Sequence, residues 1–255
     1  MNPALQIIPL RDFPLVAPGD DLAALVADAL HRNQLTLEAG DVLVVAQKVV
    51  SKAEGRYLRL ADIEPSQRAR DIAEQANKDP RQVECILRES REVLRVRPGV
   101  IIVEHRLGYV MANAGIDRSN IEQPEGDPQV LLLPEDPDRS AQALRKALSP
   151  GPGQAPMVVI NDSVGRAWRM GTVGMAIGCA GLDPLYNQIG ERDLFGNVLE
   201  VTEAAVADEL AAAASLVQGQ SDEACPVVLV RGARLRPGLG GADALLRQRE
   251  LDMFR

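Results

Sequence analysis

Short apolar runs bounded by turn residues alternate along this chain with segments of helical periodicity. Val42–Ala46 (VLVVA), Met157–Ile160 and Pro226–Val230 are unbroken apolar runs, the pattern of strands buried on both faces. Ala4–Pro9, Val93–Val96, Val100–Val103, Tyr109–Ala112 and Val130–Leu133 read as further short strands, the second and third around a Pro98-Gly99 turn. Leu22, Leu25, Val26, Ala29 and Leu30 share one helical face behind an N-cap at Asp20 or Asp21. Ser66 caps a polar helix to Lys78, and Asp79-Pro80 opens a second one running to Glu89. Asp136-Pro137-Asp138 opens a helix to Leu148. Thr202 is the predicted cap of Glu203–Val217, whose Ala211–Ala214 run has high helix propensity, and the tail is predicted to end in an amphipathic helix, Ala242–Phe254. Gly171–Leu182, with four glycines, reads as a strand closely approached by another backbone. Ser149–Pro156 is either a domain boundary or a surface loop.

Composition narrows the class. With 46% hydrophobic and 25% charged residues over 255 positions, the chain is a globular protein with ample core, in one large domain or two modest ones. Aromatics are only 3%, so aliphatic residues build that core. A net charge of −8 argues against a nucleic-acid partner and requires local cations for any anionic ligand. Cys85, Cys179 and Cys225 are too scattered for a CxxC site and read as free thiols in a reducing cytoplasm. The N-terminus lacks a signal-peptide core and no run is long enough to span a membrane. His31 reads as a surface residue at a helix end and His105 as a turn residue, which disfavours zinc sites and histidine triads.

Two stretches set acids and hydroxyls at the end of an apolar strand. One is YVMANAGIDRSN, Tyr109–Asn120, carrying Asp117. The other is Met157–Ile160, ending in Asn161-Asp162-Ser163. A rigid strand aims such groups at a ligand, and Asp supplies hard oxygens suited to Mg²⁺ or Mn²⁺. An Asx-type turn is the alternative at Asp117. Lys48 and Lys52, just past the buried strand 42–46, are either phosphate contacts or solvated charge. Arg166 and Arg169 flank the single tryptophan, Trp168, and match phosphate or carboxylate oxygens; Trp168 reads equally as a packing residue. With Gln220 added, this is an oxygen-only donor set with few carboxylates, which points to phosphoryl transfer from a metal-bound nucleotide. No GxxxxGK[ST], HExxH, GxSxG or paired CxxC motif occurs.

The segments VVAQKVVSKAEGR (Val44–Arg56), GYVMANAGIDRSN (Gly108–Asn120), VVINDSVGRAWRMGTVGMAIGCAG (Val158–Gly181) and VTEAAVADELAAAASLVQGQSDEACPVVLVRG (Val201–Gly232) together resemble the coenzyme F420-0:γ-glutamyl ligase family. The resemblance implies an α+β, two-lobed ligase fold with mixed and antiparallel sheets, flanking helices and an intertwined homodimer. It covers 1–255 as one unit, with a sub-lobe boundary expected near 149–156 and no fused nitroreductase-like domain. It implies that Asp117, Asp162, Ser163 and Gln220 are metal ligands. Gln47, Lys48, Lys52 and Asn120 match nucleotide contacts, as do Pro9, Leu10, Arg11 and Asp12, and Gln218, Gly219, Gln220, Ser221, Asp222 and Glu223 of the loop Gln218–Cys225. Asp117, Asp162 and Lys52 are the expected catalytic groups. The chain departs from many relatives at Gln218, where methionine is expected, and at Ala224-Cys225 in place of Gly-Ile.

The implied reaction is GTP-dependent. A terminal carboxylate of coenzyme F420-0 attacks the γ-phosphorus of GTP, and the amine of L-glutamate then captures the acyl phosphate. The implied cofactors are Mg²⁺ or Mn²⁺ together with K⁺. Two other readings of the same residues are an amino-acid ligase with a different carboxylate acceptor and a nucleotide-binding regulator without turnover.

Overall fold

A computed structural model, describing residues 4–149, 151 and 154–253, shows a mixed α+β architecture. The elements run β1 (Gln6–Pro9), α1 (Leu22–Arg32), β2 (Val42–Ala46), α2 (Gln47–Ala53), β3 (Tyr57–Arg59), α3 (Gln67–Ala76), α4 (Pro80–Arg88), β4 (Ser90–Arg97), β5 (Val100–His105), β6 (Val110–Ala112), β7 (Gln129–Leu131), α5 (Pro137–Ala147), β8 (Met157–Gly165), β9 (Thr172–Ala180), β10 (Tyr186–Asn187), β11 (Glu203–Ala204), α6 (Val206–Gln218) and β12 (Val227–Arg231). The main sheet has the order β1-β12-β2-β8-β9. Only its β2–β8 pair is parallel.

The apolar run of β2 explains the layering. Leu43 and Val45 face a cluster with Val26 of α1 and Leu144 of α5. Val42 and Val44 face the opposite cluster with Leu210, Ala211 and Ala214 of α6. Each side chain removed from water this way contributes about 1.5–3 kcal/mol. The glycines of β9 let the covering helices in: a Cβ at Gly174 would collide with the backbone of Ala211, and one at Gly178 with the backbone of Pro137. A third cluster joins α3 and α4 to β5 and β7 through Ala73, Val83, Ile86, Ile101, Val103 and Val130. Asp21, Ser66, Asp79 and Asp136 each accept a backbone N–H as helix N-caps.

Several expectations are corrected. Thr202 caps nothing, because Glu203 and Ala204 pair with β10, and α6 starts at Val206 behind Ala205. Two 3₁₀ turns, Ala242–Leu245 and Arg249–Leu251, replace the C-terminal amphipathic helix as far as the chain is described; Phe254 lies outside the described residues. Asn161, Asp162 and Ser163 do not end their strand: β8 continues to Gly165 because β9 keeps pairing with it after β2 has stopped. The Ser149–Pro156 connection falls partly on Pro150, Pro152 and Gly153, outside the described residues.

Candidate functional site

β2 leaves the sheet at Ala46, paired with Asn161, and turns at once into α2. Asp162 therefore sits one residue beyond the point where β8 loses its parallel neighbour. Gln47 and Lys48 occupy the first turn of the helix that has replaced that neighbour. Asp117 reaches the same place from another direction. After β6 the chain runs through left-handed backbone at Asn113, Ala114 and Gly115, then extends so that Asp117 exchanges backbone hydrogen bonds with Leu131 beside β7 (2.9 and 3.0 Å). Positive φ at a residue with a Cβ costs energy, and such strain gathers where side-chain aim matters.

Polar contacts tie these arrivals together. Gln47 Nε2 donates to Asp117 Oδ2 at 2.7 Å, and Ser51 Oγ fixes the Gln47 amide by donating to its Oε1 at 2.9 Å. Lys48 Nζ lies 2.5 Å from the same Asp117 oxygen. Burial pushes the Asp162 carboxyl up, the charge of Asp117 pushes it further, and hydrogen bonds from the Ser163 N–H and Gln47 with the Lys48 charge only partly offset this, leaving it at about 7. Burial lowers the Lys52 ammonium, helped by Lys48 and opposed by Asp117.

The loop after α6 closes the fourth side. Gln218 and Asn161 exchange amide hydrogen bonds at 2.8 and 3.1 Å, and Gln218 also donates to Pro226 O at 3.3 Å. Asn161 is buried. Gln220 Oε1 accepts from Thr172 Oγ1 at 3.4 Å, and Asn120 Nδ2 donates to Ser221 O at 2.8 Å.

All these groups border one cavity of about 1040 Å³. Of the residues singled out from the sequence, Gln47, Lys48, Lys52, Asp117, Asn120, Asp162, Ser163 and 218–223 line it. Pro9, Leu10, Arg11 and Asp12 are not among its lining residues; the adjoining 13–18 segment is. Leu10 is fully buried. The Arg11 backbone is held by the Asn33 side chain, and Asp12 O accepts from Arg32. Arg166 and Arg169 lie in the β8–β9 turn outside the lining, where Arg166 donates to Gly171 O at 2.8 Å. Trp168, in the same turn, is 80% exposed. Asn161, Tyr57 and Glu122 also line the cavity, and sequence reasoning did not single them out as site residues. For Asn161 there was a signal, a polar residue at a buried register position; for the other two there was none.

A divalent cation suits this donor set. Two carboxylates stand close enough for one to oppose ionisation of the other, the imbalance a cation relieves. Among the described residues no group of three His, Cys, Asp or Glu side chains forms a metal cage. Amide, hydroxyl and ligand oxygens would therefore have to complete the shell, which is the habit of Mg²⁺ rather than of a structural zinc.

Residues 11–232 match the family model described as F420-0:Gamma-glutamyl ligase. The chain belongs to that family of ligases. It is 49% identical to the coenzyme F420:L-glutamate ligase of Methanothermobacter thermautotrophicus, over 98% of this chain and 99% of that protein. It is 48% identical to the protein of the same name from Methanopyrus kandleri, over 99% and 98% of the two chains. Identity to the Methanocaldococcus jannaschii protein of that name is 41%, over 96% and 94%. Among the described residues no helix is long and apolar enough to cross a membrane.

Proposed function

We propose that this protein joins L-glutamate to the terminal carboxylate of coenzyme F420-0, and then γ-linked glutamates to one another, using GTP. The observation that carries the reading is the meeting of Asp117 and Asp162 with Lys48, Lys52 and the loop 218–223 around one cavity. The relatives named coenzyme F420:L-glutamate ligase support the glutamate-ligation part of the reading.

The chemistry follows from the groups present. Lys48 and Lys52 carry positive charge to the triphosphate, where a phosphoryl group spreads charge over its oxygens during transfer. The acceptor carboxylate attacks the γ-phosphorus, GDP leaves, and the resulting acyl phosphate is captured by the glutamate amine with loss of phosphate. Asp117 and Asp162, with Ser163 and Gln220, would hold Mg²⁺ or Mn²⁺, which when bound supplies further positive charge to the phosphate oxygens. K⁺ belongs to the same proposal. A site that gathers several anions and excludes water also protects the acyl phosphate from hydrolysis.

A cytoplasmic homodimer completes the proposal. Ile189, Leu194, Phe195, Val198 and Val201, between β10 and β11, are exposed, as is Met170 in the β8–β9 turn. Apolar surface of this kind favours a protein partner.

The test is an assay of the purified protein with F420-0, GTP, Mg²⁺ or Mn²⁺, K⁺ and L-glutamate, read by mass spectrometry. Glutamyl addition with matching GDP release is the expected result. GDP release only with another carboxylate acceptor would replace the substrate. GTP binding without GDP release under any condition would remove the ligase assignment.

A further inference from the structure

Tyr57, Glu122 and Gln129 border the cavity but have no part in the nucleotide and cation assignments made above. The ladder of β3 and β7 places two of them. Tyr57 opposes Leu131 and Arg59 opposes Gln129, so Tyr57 and Gln129 are diagonal neighbours on one face. The intervening Leu58 and Val130 take the other face, against the cluster of α3 and α4. Gln129 Nε2 donates to Glu122 O at 2.6 Å, which commits the N–H₂ end of that amide and leaves Oε1 as an acceptor. Gln123 clamps the same turn, donating to Gln129 O at 3.0 Å and accepting from Gln129 N at 3.1 Å. Glu122 is near enough to Tyr57 for its charge to raise the phenol, in addition to the larger effect of burial. Among the described residues no cation pairs with Glu122, and the Tyr57 hydroxyl and Gln129 Oε1 have no hydrogen-bond partner. Three oxygen acceptors, one of them anionic, thus sit on a braced edge of the cavity.

We propose that Glu122, with the Tyr57 hydroxyl and Gln129 Oε1, binds the α-ammonium group of L-glutamate and so holds the amino-acid substrate at the cavity. The proposal rests on the ligase reading given above and adds a site for the substrate which that reading left without one. Charge selects the ligand. A triphosphate and an acceptor carboxylate are anions that Glu122 repels, and of the three substrates L-glutamate is the one that brings a cationic group. An ammonium has three N–H donors and no acceptor, which matches three oxygens and would leave an amide or guanidinium site unmatched. Glu122 is solvent-exposed, so the amino acid reaches it without rearrangement of the core. The site adds binding only; the bond-forming step, in which the amine nitrogen replaces a phosphate oxygen on the acyl carbon, stays as given above.

The experiment varies L-glutamate at saturating F420-0, GTP, Mg²⁺ and K⁺, with full-length wild type, Glu122→Gln and Glu122→Asp. Glu122→Gln is expected to raise the KM for L-glutamate about tenfold, the scale of one charge-assisted hydrogen bond, with the KM for GTP unchanged. Glu122→Asp, which keeps the charge on a shorter stem, is expected to fall between the two. Hydroxylamine, a neutral nucleophile that captures an acyl phosphate as the hydroxamate, is expected to react at the same rate in wild type and Glu122→Gln. Loss of hydroxamate and glutamyl product together in Glu122→Gln would make Glu122 a support of the fold and overturn the proposal. An unchanged KM for L-glutamate overturns it too, including where the KM for GTP or the K⁺ requirement rises instead. Should wild type make no glutamyl product, the ligase reading fails, and equilibrium dialysis with radiolabelled L-glutamate decides separately. Weaker binding by Glu122→Gln than by wild type then keeps the ammonium site, and equal or absent binding removes it.

Discussion

Two of the groups of charged side chains that lie at least partly out of water titrate in opposite directions. One surrounds Glu89 at the end of α4. Arg106 Nε lies 3.0 Å from Glu89 Oε2, Arg56 Nη2 3.4 Å, and His105 Nε2 3.5 Å. Burial raises the Glu89 carboxyl, but hydrogen bonds from His105 and Arg106 and the charges of Arg106 and Arg56 overcome it, and the group is brought down to about 2. The other surrounds Asp117 and Asp162. There the acid Asp162 is pushed up and the base Lys52 is pushed down, each toward its neutral form. The Glu89 group contains its own counter-charges and stays ionised. In the cleft, Lys48 pairs with Asp117, but for Asp162 and Lys52 desolvation and the like-charged neighbour outweigh the opposite charges, and a ligand would supply the charge that restores both ions. Imbalance of this kind marks a site better than the mere presence of acids and bases.

The sharpest way to break that contrast is to remove a carboxylate from each group. Asp117→Asn and Asp162→Asn are each expected to lower the ligation rate by roughly 10³-fold, the scale of a lost electrostatic contact to a reacting phosphoryl group. Stability is expected to hold or rise in Asp162→Asn, because Asp117 loses a like-charged neighbour, whereas Asp117→Asn also takes the partner of Lys48 away and is expected to gain less or to lose a little. Product formation by mass spectrometry and a urea melt measure the two separately. A variant retaining most of its activity would take that residue out of the proposed cation site.

Glu89→Gln is expected to behave in the reverse manner, with activity nearly unchanged and about 2–3 kcal/mol of stability lost at neutral pH, since Arg56 and Arg106 keep their charges without a partner. The sign with pH follows from the depressed value. Glu89 is held below the ordinary carboxylate range when folded, so its stabilisation is complete above about pH 4.5 and disappears as pH falls toward 2. The stability difference between wild type and Glu89→Gln, followed by denaturant unfolding from pH 7 to pH 3, should therefore shrink. A difference that stays constant over that range would mean that Glu89 packs rather than pairs.

The contrast also explains what the sequence could reveal. The layered core was legible, because β2 and β12 are unbroken apolar runs and the caps Asp21, Ser66, Asp79 and Asp136 are local signals. The start of α6 was not: Thr202 has the chemistry of a cap, but the short ladder between β10 and β11 takes the next two residues, and such pairing is invisible locally. Helix α2 was hidden by Val49 and Val50, which favour strands. In the site, Asp117 and Asp162 stood out as acids beside apolar strands. Tyr57 and Glu122 did not, since a residue on a cavity rim carries no pattern of its own. The Glu89 group joins residues from 56 to 106 and resembles ordinary surface charge until the chain is folded.

A smaller effect tests whether the cleft's neutral polar groups follow the same rule of internal satisfaction. Asn161 and Gln218 answer each other's amides and join the strand carrying Asp162 to the loop carrying Gln220. Gln218→Leu strands a buried amide and is expected to cost about 1–2 kcal/mol. Replacing both residues, Asn161→Leu with Gln218→Leu, is expected to recover part of that loss, because two apolar partners leave no donor unpaired. Additive losses in the double-mutant cycle would show that the two amides act independently. The kinetic signature should differ from that of the aspartates: a loosened loop raises the KM for GTP while leaving kcat largely intact, since the clasp positions groups without touching the transferred phosphoryl. A fall in kcat matching that of Asp162→Asn would instead make the amide pair part of the charge-handling machinery, and the division between satisfied and unsatisfied polar groups within the cleft would have to be redrawn.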